Sequence, residues 1–189
     1  RNQTWLFPSR DQCLTCHTDR GGGALSFNTR QLNRATAGAA TNQIHDLAAL
    51  GYLSAAPAPG AVMPALADPT SSTLGVEARA RAYLDANCSQ CHQPGGTAVG
   101  AFDARARTPL SLAGIVNGRL LSGVAAAGDA ILTPGDEAHS MLLRRLMGNG
   151  VNRMPPVGSN ERDRAARFSS RLGGLNRARS AIHSAISDS

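Results

Sequence analysis

The stretch CLTCH at residues 13–17 returns as CSQCH at residues 88–92, and the two copies use all four cysteines of the 189-residue chain. Three chemistries use paired Cys-x-x-Cys units. Four thiolates can close a tetrahedral zinc site. Each pair can also act as a redox dithiol or form a disulfide. Neither use needs the histidine that directly follows the second cysteine in both copies. Cys-x-x-Cys-His is instead the spacing of covalent c-type haem attachment. The two thiols form thioethers with the haem vinyl groups, and the next residue lies under the iron as its proximal ligand. Two intervening residues span the vinyl positions within one turn of chain. The repeat therefore predicts two covalently attached c-type haems. Cys13, Cys16, Cys88 and Cys91 would bind the cofactors, and His17 and His92 would ligate the irons.

Each iron then takes a sixth ligand or stays open. Met/His ligation is the usual arrangement in cytochromes c and raises the potential. Met154 in NRMPPVG stands 62 residues after His92 on a proline-stiffened loop, and is the candidate for the second iron. For the first iron the candidate is Met63, also followed by proline, 46 residues after His17. Its rivals are His45, in the same half of the chain, and an open five-coordinate iron. Met141 and Met147 fall on an apolar helical stretch and read as packing residues. His139 and His183 read as surface residues. Arg30 and Arg119 are candidates for pairing with haem propionates.

Composition supports a cofactor-built core. Aromatic residues make up only 4% of the chain. Halves of about 80–95 residues are marginal by side-chain burial alone and often need a staple, metal or cofactor. The formal charge is +6 and every basic residue is Arg. Half of that excess lies in residues 161–189, where six Arg face three acids. That is no strong basic face, and with stacking aromatics scarce, nucleic-acid binding is not expected. No run of about 18 apolar residues is present, so no membrane span is expected. The opening RNQTWLFPSR has no signal-peptide pattern, as in a mature protein or a piece of a longer precursor.

The pattern divides into a first haem lobe (1–72), a second (73–160) and an Arg/Ser-rich tail or divergent terminal helix (161–189). ADPTSSTLG forms the joint between the lobes. The motif recurs with a period of about 75 residues, a weak internal repeat. VEARARAYLDANCSQCH predicts a helix with Val76, Ala80, Tyr83 and Leu84 on one stripe, flanked by Arg79, Arg81 and Asp85. It would deliver Cys88 and Cys91 at its C-terminal end. TNQIHDLAALGYL predicts a helix with Ile44, Leu47 and Leu50 inward and Gly51 as its stop. LLRRLMG predicts another, beginning near Glu137 and ending at Gly148. SLAGIVNG reads as short helix or irregular chain, PAPGAVMPALADP as loop, and 164–186 as a helix interrupted by Gly173 and Gly174. No period-2 run predicts a strand. The fold class expected is all-α, two cytochrome c-like lobes each wrapped around one haem.

TWLFPSRDQCLTCHT, LSFNTRQLN, NQIHDLAALGYL, RARAYLDANCSQCHQPGG, LLRRL and RMPPVGS together resemble the dihaem cytochrome c modules that follow sugar-dehydrogenase-like or adhesion-type domains in some bacterial secreted proteins. The resemblance covers about residues 1–160. It implies a periplasmic or extracellular electron-transfer module that receives electrons from a redox protein partner or a fused dehydrogenase-like domain. It carries the second haem's distal ligand over to Met154. The tail departs from the pattern: ERDRAARFSSRLGGLNRARSAIHSAISDS lacks the apolar, Trp-containing closing helix that the resemblance leads one to expect.

The function expected is one-electron transfer by a carrier, not an enzyme. Haem attachment also requires reduced cysteines outside the cytoplasm, which predicts an exported protein. Two alternatives stand beside this reading. One is a dihaem peroxidase-like enzyme with one open haem, although such enzymes are usually much longer. The other is a cytochrome subunit that self-assembles or docks into a larger electron-conducting complex, with Trp5, Leu6 and Phe7 as contact residues.

Overall fold

The computed structural model describes residues 7–25, 27–36, 38–121, 125–148 and 152–158. The expectations placed on Trp5, Leu6, His183 and the 161–189 segment fall outside the described residues. Within them, the regular structure is α1 (Arg10–Cys16), α2 (Thr29–Leu32), α3 (Gln43–Ala49), α4 (Val76–Cys88) and α5 (Met141–Leu146). Among the described residues β-pairing is limited to isolated bridges such as Val116–Leu132 and Ala130–Ser140. No helix among them is long and apolar enough to cross a membrane.

Side-chain caps decide where the short helices begin. At α1, Ser9 Oγ accepts from Gln12 N–H and Gln12 Oε1 accepts from Ser9 N–H, a reciprocal capping box. Asn28 caps α2 by accepting from Gln31 N–H, and Asn42 caps α3 by accepting from Ile44 N–H. The stop of α3 is a Schellman turn. Gly51 takes φ 77°, its N–H donates to Ala48 and that of Tyr52 to Leu47. Ile44 is buried as expected, but Leu50 is 72% exposed. The helix ends at Ala49, so Leu50 belongs to the turn and leaves the apolar face.

The start expected for α5 near Glu137 is also displaced. Asp136 accepts from the backbone N–H of His139 through Oδ1 and contacts its Nδ1 through Oδ2, and Ser140 Oγ donates to Asp136 O. These bonds hold residues 136–140 as a turn, and the helix begins at Met141. SLAGIVNG is irregular chain, with Val116 bridged to Leu132.

Among the described residues the clustered hydrophobic core lies in the second half. Ala80, Leu84 and Cys88 of α4 pack with Ile115, Leu132 and Leu142. Before residue 72, only Ile44 and Leu66 are buried among the described hydrophobic residues. That stretch is held by polar bonds instead. Asn33 Nδ2 donates to Met63 O at 2.8 Å, Asn42 Nδ2 to Asn33 Oδ1 at 2.8 Å, and Leu66 N–H to Arg30 O at 2.9 Å.

The charges expected to flank the α4 stripe are themselves buried: Arg79, Arg81 and Asp85 all lie under 10% exposed. The burial of Arg81 and Asp85 is explained by the irregular chain at 103–108, whose backbone needs partners. The Arg81 guanidinium donates to the carbonyls of Asp103 (3.2 Å), Arg105 and Thr108 (2.9 Å). Asp85 Oδ2 accepts from Ala106 N–H at 2.7 Å. In the same loop, burial pushes the Asp103 carboxyl upward, but hydrogen bonds from Arg105 and Thr108 outweigh it and hold the pKa at about 2. A carboxyl depressed in the folded state stabilises the fold above its unfolded pKa of about 4 and loses that contribution as pH falls toward 2. Thermal midpoints are therefore expected to drop between pH 4 and 2 by a smaller amount in Asp103→Asn than in the parent chain. Equal drops in both would remove Asp103 from the account.

Candidate functional site

The second motif grows out of the end of α4. Cys88 is the last helical residue, and the N–H groups of both Cys91 (3.2 Å) and His92 (2.8 Å) turn back to its carbonyl. The motif is thus wound as one turn continuing the helix. The His92 ring stacks on Phe102 with centroids 4.3 Å apart and planes 20° from parallel. Gly100 closely approaches both rings: a Cβ there would lie 3.2 Å from His92 Cε1 and 3.5 Å from Phe102 Cε1. His92 O accepts from Ala104 N–H at 2.8 Å. Burial, and then the nearby Arg145 charge, lower the pKa of His92 and keep the imidazole neutral, the form that binds metal. Its Nδ1 is buried with no hydrogen-bond partner among the described residues.

A cavity of about 200 Å³ opens beside this ring. Val99, Phe102, Leu120, Leu142 and Leu146 supply apolar wall, and Cys88, His92 and Met154 all line it. Met154 is placed by its own backbone, whose N–H donates to Arg145 O at 3.1 Å. Arg119 and Arg145 also line the cavity, so a mostly apolar hollow has two arginines in its wall. Arg119 is one of the two arginines the sequence offers as propionate partners; Arg145, Phe102 and Gly100 were not singled out. Met141 lines the same cavity, whereas Met147 is 45% exposed. The residues present fit a flat apolar group bearing carboxylates. They offer a thiol to attach it, a neutral imidazole and a thioether to ligate it, a glycine leaving room for the ring, and guanidinium partners.

The first motif lies at the end of α1. His17 N–H donates to Cys13 O at 2.9 Å, and His17 Nδ1 lies 2.6 Å from Gly23 O. A carbonyl can only accept, so Nδ1 carries the proton and the Nε2 lone pair is left for a metal. A cavity of about 360 Å³ is lined by Cys13, Cys16 and His17 and draws its walls from both halves. Gln31 comes from α2 and Asn28 from its N-cap, Asp85 and Ala86 from α4, and Pro155 and Val157 from the Met154 loop.

The candidate distal ligands of that site sit elsewhere. Met63 is half-buried on the loop that Asn33 holds, and it does not line the cavity. His45 is exposed on α3, and Arg30 is half-buried outside the lining. Met63 nonetheless hangs from α2, whose N-cap Asn28 and helical Gln31 do face the cavity.

The two motifs meet. Cys16 Sγ and Cys91 Sγ are 3.8 Å apart. Thr97 Oγ1 donates to Thr15 O at 2.9 Å, and Gln93 Nε2 to Arg20 O at 2.7 Å. Burial raises the Cys88 thiol to about 12, helped by Cys91. Burial, then Cys91 and Cys13, raise Cys16 to about 11. Among the described residues no group of three His, Cys, Asp or Glu side chains converges as the ligand set of one metal ion. The four cysteines do not form the closed tetrahedral set of a structural zinc site.

No protein-family model matches the chain, and no significant match was found to a curated protein or to a solved structure.

Proposed function

We propose that the chain is a dihaem c-type cytochrome that transfers single electrons between redox partners outside the cytoplasm. The observation that carries this reading is the gathering of Cys88, His92 and Met154 around one apolar cavity that also presents Arg119 and Arg145. They come from three separate stretches of the chain, the 88–92 motif, Arg119 and the 145–154 segment, and each has a separate task in holding a haem. A bound haem supplies one-electron exchange at its iron. The rest falls to the chain. Phe102 and Gly100 fix the His92 plane, the Gly23 carbonyl fixes the His17 tautomer, and the guanidinium groups pair with carboxylates. Thioethers formed at Cys16 and Cys91 would begin from sulfurs 3.8 Å apart, which favours exchange between the two groups. The motif-level resemblance to dihaem modules of secreted proteins supports the same reading and an exported location.

Met63 is the proposed sixth ligand of the first iron. A second reading is favoured by its position outside the cavity that holds His17: an open first iron, as a peroxidase-like enzyme or a gas-binding site would use. One titration separates the two. The dithionite-reduced holoprotein is exposed to carbon monoxide and its visible spectrum followed. An unchanged spectrum is the result expected with both irons six-coordinate. A change amounting to one haem would mean one open or labile iron and would favour the open reading. Met63→Ala supplies the companion test and is expected to alter the spectrum of one haem alone. Both haems unchanged, with His45→Ala altering one, would transfer the ligand role to His45.

A further inference from the structure

The contact between the two motifs has chemistry of its own before any haem is attached. We propose that Cys16 and Cys91 form a disulfide in the haem-free chain, linking the two halves and withdrawing one thiol from each motif. The pairing rests on position and does not depend on the haem reading. Cys16 and Cys91 are each half-buried, and their sulfurs are 3.8 Å apart. Bond formation at about 2.05 Å requires them to close by only ~1.8 Å. Cross-bonds on either side hold the two segments together. Thr97 Oγ1 reaches Thr15 O, Gln93 Nε2 reaches Arg20 O, and Cys91 Sγ itself lies 3.5 Å from Thr15 O.

The neighbouring pairings are less favoured. Cys88 sits in the hydrophobic core beside Ala80 and Leu84, so a Cys88–Cys91 bond would have to draw a core residue outward. Cys13 is exposed and lies one helical turn from Cys16 on α1, where the backbone is held by α-helical hydrogen bonds.

The oxidant is a disulfide of low molecular mass or a dithiol oxidase. With oxidised glutathione, one cysteine thiolate attacks the glutathione disulfide. A mixed disulfide forms and one glutathione leaves. The second cysteine thiolate attacks that mixed disulfide at the protein sulfur. The Cys16–Cys91 bond forms and the second glutathione leaves. The two protons lost by the cysteines end on the two glutathione thiols, and the protein loses two electrons. If the motifs bind haem, this single bond blocks full attachment at both, so reduction has to precede maturation.

The test uses the full chain produced without haem, reduced, then oxidised under native conditions with oxidised glutathione and alkylated. Trypsin places Cys13 and Cys16 in peptide 11–20, and Cys88 and Cys91 in peptide 82–105. The expected product is these two peptides joined through Cys16 and Cys91, with Cys13 and Cys88 alkylated. The preference is expected to vanish when oxidation is done in denaturant. The Cys13→Ser/Cys88→Ser chain is expected to form the same link. Bonds confined within each peptide, mixed glutathione adducts alone, or the same product distribution in denaturant would overturn the proposal. Because no haem is present, these outcomes are independent of the carbon monoxide and mass experiments that test the cytochrome reading.

Discussion

Met154→Ala is expected to lower the reduction potential of one haem by on the order of 100 mV or more while both haems stay attached. Axial ligation moves haem potentials over a range of about 0.8 V, and a methionine thioether holds them high. Attachment depends on the cysteines, and none of them is touched by the substitution. The effect should be confined to one haem because Met154 shares its cavity with His92 and Cys88. Its neighbours Pro155 and Val157 border the other cavity, so a small secondary shift at the first haem is consistent with the geometry. A spectroelectrochemical titration of parent and variant reads both potentials together. Two potentials left where they were would remove Met154 from the ligand set.

Arg81→Met is expected to destabilise the folded chain by about 3–5 kcal/mol, the summed cost of leaving several buried backbone acceptors without a donor. Methionine keeps much of the side-chain volume but donates nothing. The carbonyls of Asp103, Arg105 and Thr108 then lose a shared charged donor, and each buried carbonyl left unpaired costs about 1–3 kcal/mol. A loss of this size is a large part of the roughly 5–15 kcal/mol that holds an ordinary domain together. It should also reach the proposed haem site. The same loop contains Ala104, whose N–H binds His92 O, and it adjoins Phe102, which stacks on the His92 ring. Urea unfolding of the parent and variant measures the difference. A midpoint moved by less than 1 kcal/mol equivalent would mean that water replaces the guanidinium and the loop does not depend on it.

What the sequence made legible follows from local rules. The two motifs announce themselves by spacing, and α4 by the period of Ala80 and Leu84, both of which are buried. Met154 could be singled out because a proline-stiffened loop after a helix is a local pattern, and it lines the cavity that holds His92. What stayed hidden depends on contacts between distant segments. Nothing near Arg81 in sequence shows that it serves carbonyls more than 20 residues away. Arg145 reads as one more charged helix residue until the fold turns it toward His92. The Cys16–Cys91 contact is set by Thr97 and Gln93 meeting the chain around Thr15 and Arg20, a pairing with no periodicity to betray it. Leu50 was misplaced because periodicity continues past the point where the Gly51 turn ends the helix.

Covalent dihaem attachment is the claim on which the rest depends, and the intact mass of the chain tests it most directly. The full chain is expressed with export and a c-type haem attachment system, denatured, alkylated and weighed, and its haem content is measured as the pyridine complex. The account predicts a mass increased by two haems, two haems per chain, and no cysteine open to alkylation. A colourless chain whose cysteines are all alkylated, from a host that loads other c-type cytochromes, would contradict it.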